Sequence, residues 1–114
     1  IVIGGRSMGG RMCSMAVADE DDPLLVAGLV LVSYPLHPPK KPDNLRVEHL
    51  PRVSVPTLCV SGTKDNFGTP QELEDAFAVV PGDVTWSWVD NGRHELAKAD
   101  ADVAQRIATW VTAL

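Results

Sequence analysis

Three residues of this 114-residue chain, Ser7, Asp65 and His94, have the types and the chain order that acyl transfer through a serine needs. Ser7 stands in Gly5-Arg6-Ser7-Met8-Gly9, a G-x-S-x-G pattern, behind the apolar Ile1-Val2-Ile3 and ahead of a helix-period segment. A serine hydroxyl is a weak nucleophile until a base takes its proton, and the base needs a carboxylate to orient it. A strand that turns sharply into a helix lifts the hydroxyl clear of a sheet, provided the residues flanking the turn are small. Gly5 and Gly9 fill the places two before and two after the serine. The Met8 amide then falls at a helix N-terminus, where it can stabilise an oxyanion. A dinucleotide G-x-G-x-x-G would need glycine in place of Ser7 or Arg6. A phosphate loop would need Lys-Ser/Thr where Arg11-Met12 stand, so both readings fail.

His94 lies in "VDNGRHEL", after the last predicted strand and before the last predicted helix, at the sheet edge where open α/β sheets build their sites. His37 precedes two prolines and His49 sits inside a long loop; both read as loop-packing or surface residues. Asp65, in "CVSGTKD", follows a strand and lies between Ser7 and His94 in the chain, as the acid of such a site should. Asp90 is the alternative acid, although Asp-Asn-Gly is also a turn sequence, and Asp43 is a third candidate. Asp19 to Asp22 read as a solvated helix exit. Arg6 and Lys64 fall near the site and would favour an anionic substrate, with surface solvation as the simpler role for both.

The elements that must position these groups alternate in type. Ile1–Ile3 is the end of a strand, and Met8 to about Ala18 is a helix with Met8, Met12, Met15 and Ala16 on one face. Val26–Ser33 is a continuous apolar run, as expected of a strand covered on both sides. Tyr34–Pro56 carries six prolines and reads as a long loop. Thr57–Ser61 is the next buried strand. Thr69, Pro70 and Glu72 then form a capping box ahead of the stripe Leu73, Ala76, Phe77 and Val80. Val84–Val89 alternates like a strand with one less buried face, and a helix from about Ala97 to Leu114 closes the chain with Val103, Ile107, Trp110, Val111 and Leu114 on one side. Strands alternating with helices predict one α/β domain over 1–114 with a mostly parallel sheet.

The bulk composition narrows the partners. A net charge of −5 argues against nucleic acid and anionic membrane. No apolar run reaches the length of a bilayer span, so a cytoplasmic protein acting on a small molecule is expected. Cys13 and Cys59 form no C-x-x-C pair and share no ligand spacing with His37, His49 or His94; they read as buried free thiols, with no metal and no cofactor.

Strand-GGRSMGG-helix, SGTKD after a strand and NGRHEL before the closing helix resemble the C-terminal half of an α/β-hydrolase, nearest to dienelactone-hydrolase-like proteins. "SYPLHPPKKPDNLR", followed by a His-Leu pair and the strand ending in SGTKD, is similar to the testis-expressed-30-like subgroup and to a subunit of the nonspecific-lethal histone acetyltransferase complex. The resemblance covers nearly the whole chain. It implies Ser7 as nucleophile, Asp65 as acid, His94 as base, no cofactor, and a serine hydrolase acting on an ester, thioester or related acyl substrate. Dienelactone hydrolases proper carry cysteine at the turn, so their substrate does not transfer to a chain with Ser7. The likeness to a chromatin-complex subunit implies an alternative, an interaction module on an idle hydrolase scaffold. In the family the serine turn follows the fifth of about eight strands. The resemblance therefore implies the fifth to eighth strands here, with the second oxyanion donor in a preceding half. It also implies an edge at Ile1–Ile3 open to that half or to self-association, and weak catalysis by the piece alone.

Overall fold

Val2, Ile3 and the glycines after them extend as β1 (Val2–Arg6) in a computed structural model that describes residues 1–114. The chain continues through α1 (Met8–Val17), β2 (Gly28–Val32), β3 (Thr57–Gly62), α2 (Pro70–Phe77), β4 (Val84–Val89) and α3 (Asp100–Thr112), with a single 3-10 turn at Leu50–Arg52. The four strands are all parallel and lie in the order β1-β2-β3-β4, with Gly4 beside Val30, Val30 beside Leu58 and Leu58 beside Thr85. This is the expected α/β architecture. Because every strand runs the same way, the loops after β1, β3 and β4 all open at one edge of the sheet.

The two central strands are buried on both faces, which their unbroken apolar runs allow. Leu29, Leu31 and Cys59 point to one face, with Val17, Leu36, Leu50, Leu73 and Phe77 packed on them. Val30, Val32, Leu58 and Val60 point to the other, against Leu96 and Val103. Thus α1, α2 and the long connection cover one side, and α3 covers the other. Burial pushes the Cys59 thiol well above its usual pKa, whereas Cys13 is only partly buried, contrary to expectation. No helix is long and apolar enough to cross a membrane.

Two elements depart from their sequence reading. The α1 face that meets the sheet is Gly10, Ser14 and Val17, while Met8, Met12 and Met15 are exposed and Ala16 lies outside with them. Close approach at Gly10 selects that face: a Cβ there would lie 2.6 Å from the Gly5 carbonyl oxygen. The last helix starts at Asp100 rather than near Ala97, because Leu96 and Lys98 take φ angles of 49° and 61°, outside the right-handed helical region.

The proline-rich connection from Tyr34 to Pro56 has little regular structure, yet it contributes Tyr34, Leu36, Leu50 and Val53 to the core. Its buried polar groups are satisfied by neighbours. The Tyr34 hydroxyl donates to the Arg46 carbonyl at 2.8 Å, and burial pushes its pKa up to about 12. The Ser14 hydroxyl donates to the Arg11 carbonyl at 2.7 Å, so His49 Nε2–H donates to Ser14 Oγ, also at 2.7 Å. Burial, with Arg11 and Arg52 nearby, lowers the His49 pKa and keeps the ring neutral. Both His37 and His49 are therefore loop-packing residues.

His37 ties the connection to α2. Its Nδ1 donates to the Pro38 carbonyl at 2.8 Å, and its Nε2 lies 3.1 Å from Glu72 Oε1. That same oxygen accepts the Thr69 amide at 2.9 Å, completing the capping box with Thr69 Oγ1 and the Glu72 amide. Burial alone would lower the His37 pKa, but the Pro38 carbonyl and the Glu72 carboxylate outweigh it and hold it above its usual 6.5. The Thr69 amide and His37 hold Glu72 below its usual 4.5. The raised histidine contributes stability that is complete below 6.5 and fades as pH rises through its folded value. The lowered carboxylate contributes stability present above 4.5 and lost as pH falls through its folded value. Glu72→Gln keeps the capping geometry but removes the charge. It is expected to lower the melting temperature at about pH 5.5 and to have much less effect at about pH 8.5, as read by thermal melts across that range.

Candidate functional site: a serine–histidine–carboxylate chain

Ser7 forms the corner between β1 and α1 with φ 53° and ψ −123°, a conformation that side-chain-bearing residues rarely adopt. Hydrogen bonds on either side hold it there. The Ser7 amide donates to the Val32 carbonyl at 2.7 Å, extending the β1–β2 ladder by one residue, and the Ser7 carbonyl accepts the Arg11 amide at 3.1 Å, opening α1. A Cβ on Gly5 would sit 2.6 Å from the Gly9 carbonyl carbon and 2.7 Å from the Gly10 nitrogen. The second glycine that the corner requires is Gly10 rather than Gly9, since a Cβ on Gly9 would meet nothing within 4 Å. Met8 is the first residue of α1, so its amide has no acceptor within the helix.

Asp65 sits in the turn after β3. Its amide donates to the Gly62 carbonyl at 3.3 Å, and its Oδ1 accepts the Phe67 amide at 2.8 Å, an Asx turn of the kind aspartate favours. The loop that carries His94 crosses this turn where Gly62 and Gly92 meet backbone to backbone, leaving no space for a Cβ. The Lys64 amide donates to the Gly92 carbonyl at 2.8 Å, and the Asn91 amide donates to Thr63 Oγ1 at 2.8 Å. These contacts bring His94 Nδ1 to 2.9 Å from Asp65 Oδ2 and 3.1 Å from Oδ1. The other ring nitrogen, Nε2, lies 2.8 Å from Ser7 Oγ.

The structure therefore brings Ser7, His94 and Asp65 into one hydrogen-bonded row at the carboxyl edge of the sheet. Asp90 and Asp43 are exposed, and the carboxylate that reaches His94 is that of Asp65. With Nδ1–H donating to Asp65, the Nε2 lone pair is free to accept the serine proton. Burial is graded along the row: the Asp65 side chain is 1% exposed and that of His94 19%. A carboxylate so far from water orients the ring more strongly than an exposed one would. No three His, Cys, Asp or Glu side chains gather into a metal-holding cluster.

Phe67 was not anticipated. Its ring stacks on His94 with centroids 3.9 Å apart and planes 27° from parallel, while its amide holds Asp65. The Asx turn was legible in the Asp-x-Phe spacing, but no sequence signal points to the stacking. Arg6 is exposed at the surface, and its guanidinium also donates to the Glu95 carbonyl at 2.8 Å. Lys64 is exposed.

A parallel sheet with a strained serine corner at its carboxyl edge and a histidine–carboxylate pair from the following loops defines a class of fold as well as a site. The chain belongs to the alpha/beta hydrolase domain family, which it matches over residues 1–113. Its fold is similar to that of the esterase domain of a Rhodothermus marinus protein, at 16% identity and TM-score 0.71, covering 96% of this chain and 59% of that one. It is also similar to an alpha/beta hydrolase enzyme from a metagenome of Mar Chica lagoon sediments in Morocco, at 19% identity and TM-score 0.73, covering 98% and 61%. A third likeness is to an alpha-beta serine hydrolase homologue from Coxiella burnetii, at 17% identity and TM-score 0.65, covering 100% and 49%. The chain thus spans between about half and three-fifths of these proteins, and at such identities the likeness is one of fold.

The corner geometry separates two neighbouring substitutions. Gly5→Ala forces a Cβ into the Gly9–Gly10 backbone and is expected to destabilise by about 2 kcal/mol or more. Gly9→Ala, in open space within α1, is expected to be neutral or to stabilise by up to about 1 kcal/mol. Denaturant midpoints of the two variants measure the difference.

Proposed function

We propose that this chain carries the catalytic centre of a serine hydrolase acting on an ester, thioester or related acyl substrate. What supports the reading above all is the unbroken row from Ser7 Oγ through His94 to Asp65, with links of 2.8 and 2.9 Å. In the first half-reaction Ser7 Oγ attacks the acyl carbon while His94 Nε2 takes the hydroxyl proton, and the carbonyl electrons move onto oxygen. The Met8 amide, at the positive end of α1, donates to that oxyanion. The oxyanion collapses, the bond to the leaving group breaks, and His94 passes its proton to the departing alcohol or thiol. In the second half a water loses its proton to His94 and attacks the acyl-serine. The acid is released and the Ser7 hydroxyl is restored.

Asp65 holds the Nδ1–H tautomer and stabilises the imidazolium of each step. Phe67 packs against one face of that ring, limiting its rotation. An idle scaffold has no need to keep a buried carboxylate, an oriented ring and a strained hydroxyl in line, which weighs against a purely structural module. The finer kinship, to dienelactone-hydrolase-like proteins and the testis-expressed-30-like subgroup, rests on the SYPLHPPKKPDNLR segment together with SGTKD.

A fluorophosphonate probe applied to the full-length protein tests the reading. Labelling that disappears in Ser7→Ala is the expected outcome, and absence of labelling in the unmodified protein would refute it. On an activated ester, Asp65→Asn is expected to lower kcat by about 10,000-fold, because the ring loses its tautomer while the fold is kept.

A further inference from the structure

We propose that Arg6 is a positioning residue for His94, tying the loop that carries the imidazole to the strand that ends at Ser7; the inference rests on the hydrolase reading above. The loop between β4 and α3 has no relaxed backbone to rely on. Asn91, Leu96 and Lys98 all take positive φ, at 59°, 49° and 61°, although none is glycine. Such conformations persist only where the surroundings impose them. On the β3 side the loop is held by the Thr63–Asn91 and Lys64–Gly92 hydrogen bonds, and Leu96 anchors it from below at 1% exposure. None of these contacts joins it to the nucleophile.

Arg6 does. It is the residue immediately before Ser7, and its Nη1 donates to the carbonyl of Glu95, the residue immediately after His94, at 2.8 Å. Ser7 Oγ and His94 Nε2 are also 2.8 Å apart. Two adjacent residues of β1 and its corner are thus joined to two adjacent residues of the loop by two rungs of equal length. Drawing the loop backbone at His94 and Glu95 away from Ser7 requires breaking the Arg6–Glu95 bond, whose donor is charged. Asp65 fixes the ring's tautomer and tilt from the far side, and Arg6 fixes how near the ring stands to the serine.

The second contact of Arg6 is different in kind. Its Nη2 lies 3.5 Å from Asp100 Oδ1, with the two side chains 45% and 89% exposed. A long, solvated ion pair contributes little. The positioning therefore belongs to the Glu95 carbonyl, and the Asp100 carboxylate is dispensable.

The test compares Arg6→Gln, Arg6→Lys and Asp100→Asn in the full-length protein, with p-nitrophenyl acetate turnover, fluorophosphonate labelling of Ser7 and melting temperature read in parallel. Displacement of a catalytic group by about an ångström can cost up to about 100-fold, so Arg6→Gln is expected to lower kcat and the labelling rate between about 10- and 100-fold. KM should stay within about twofold and the melting temperature should be nearly unchanged. Arg6→Lys, which keeps a charged donor for Glu95, should recover part of the loss, and Asp100→Asn should leave every reading within about twofold. Unchanged kcat in Arg6→Gln, an equal loss in Asp100→Asn, or a loss confined to KM would each overturn the proposal. If Ser7 in the unmodified protein does not label, the hydrolase reading fails, and the tether is judged separately by the His94 ring nitrogen resonances. Resonances that Arg6→Gln leaves unaltered would overturn it, and resonances that shift or broaden support it.

Discussion

Where β1 turns into α1, the backbones of Gly5 and Gly10 touch with no side chain between them, and a Cβ on either would lie within 2.7 Å of the other's backbone. That approach is what allows the chain to reverse within a single residue, and it leaves Ser7 no choice but the φ of 53° at the apex. It also decides which side of α1 meets the sheet, because the helix must present Gly10, where no Cβ fits, to the strand. Gly10, Ser14 and Val17 follow on that face, and the methionines are turned out. A hydroxyl held on a rigid corner requires little reorganisation before it reacts, which is what preorganisation means in physical terms.

The remaining parts of the site are carried by loops, and loops are mobile unless something holds them. Here the holding is done by polar contacts between neighbouring loops. The turn after β3 and the loop after β4 share two backbone-donated hydrogen bonds at the Gly62–Gly92 crossing, and the carboxylate of Asp65 is closed off by the Phe67 amide and the His94 ring. The result is a dry carboxylate beside a partly covered imidazole and a partly buried serine. Electrostatic orientation is strongest at the buried carboxylate.

The long connection between β2 and β3 shows a different solution to the same problem. Its six prolines leave little regular structure, yet it covers one face of the sheet with Tyr34, Leu36, Leu50 and Val53. Two buried histidines tie it to its neighbours: His49 to Ser14 of α1, and His37 to the Pro38 carbonyl and to Glu72 of α2. Through Glu72 the connection also secures the start of α2, which stands directly after the turn that carries Asp65.

What the amino-acid sequence determined by itself were the features written in short-range pattern. The alternation of apolar runs with helix-period segments specified a parallel α/β sheet. The G-x-S-x-G spacing marked the corner, and Thr69-Pro70-x-Glu72 marked the start of α2. Chain order picked out Ser7, Asp65 and His94 without showing that they touch. Tertiary structure decided what depends on residues far apart in the chain: the choice of Asp65 over Asp90 as partner of His94, the stacking of Phe67, and the Arg6–Glu95 tether across a separation of 89 residues. It also decided the α1 face and the late start of α3, since in both cases a close backbone contact or an imposed φ outweighed the apolar periodicity that the sequence displays.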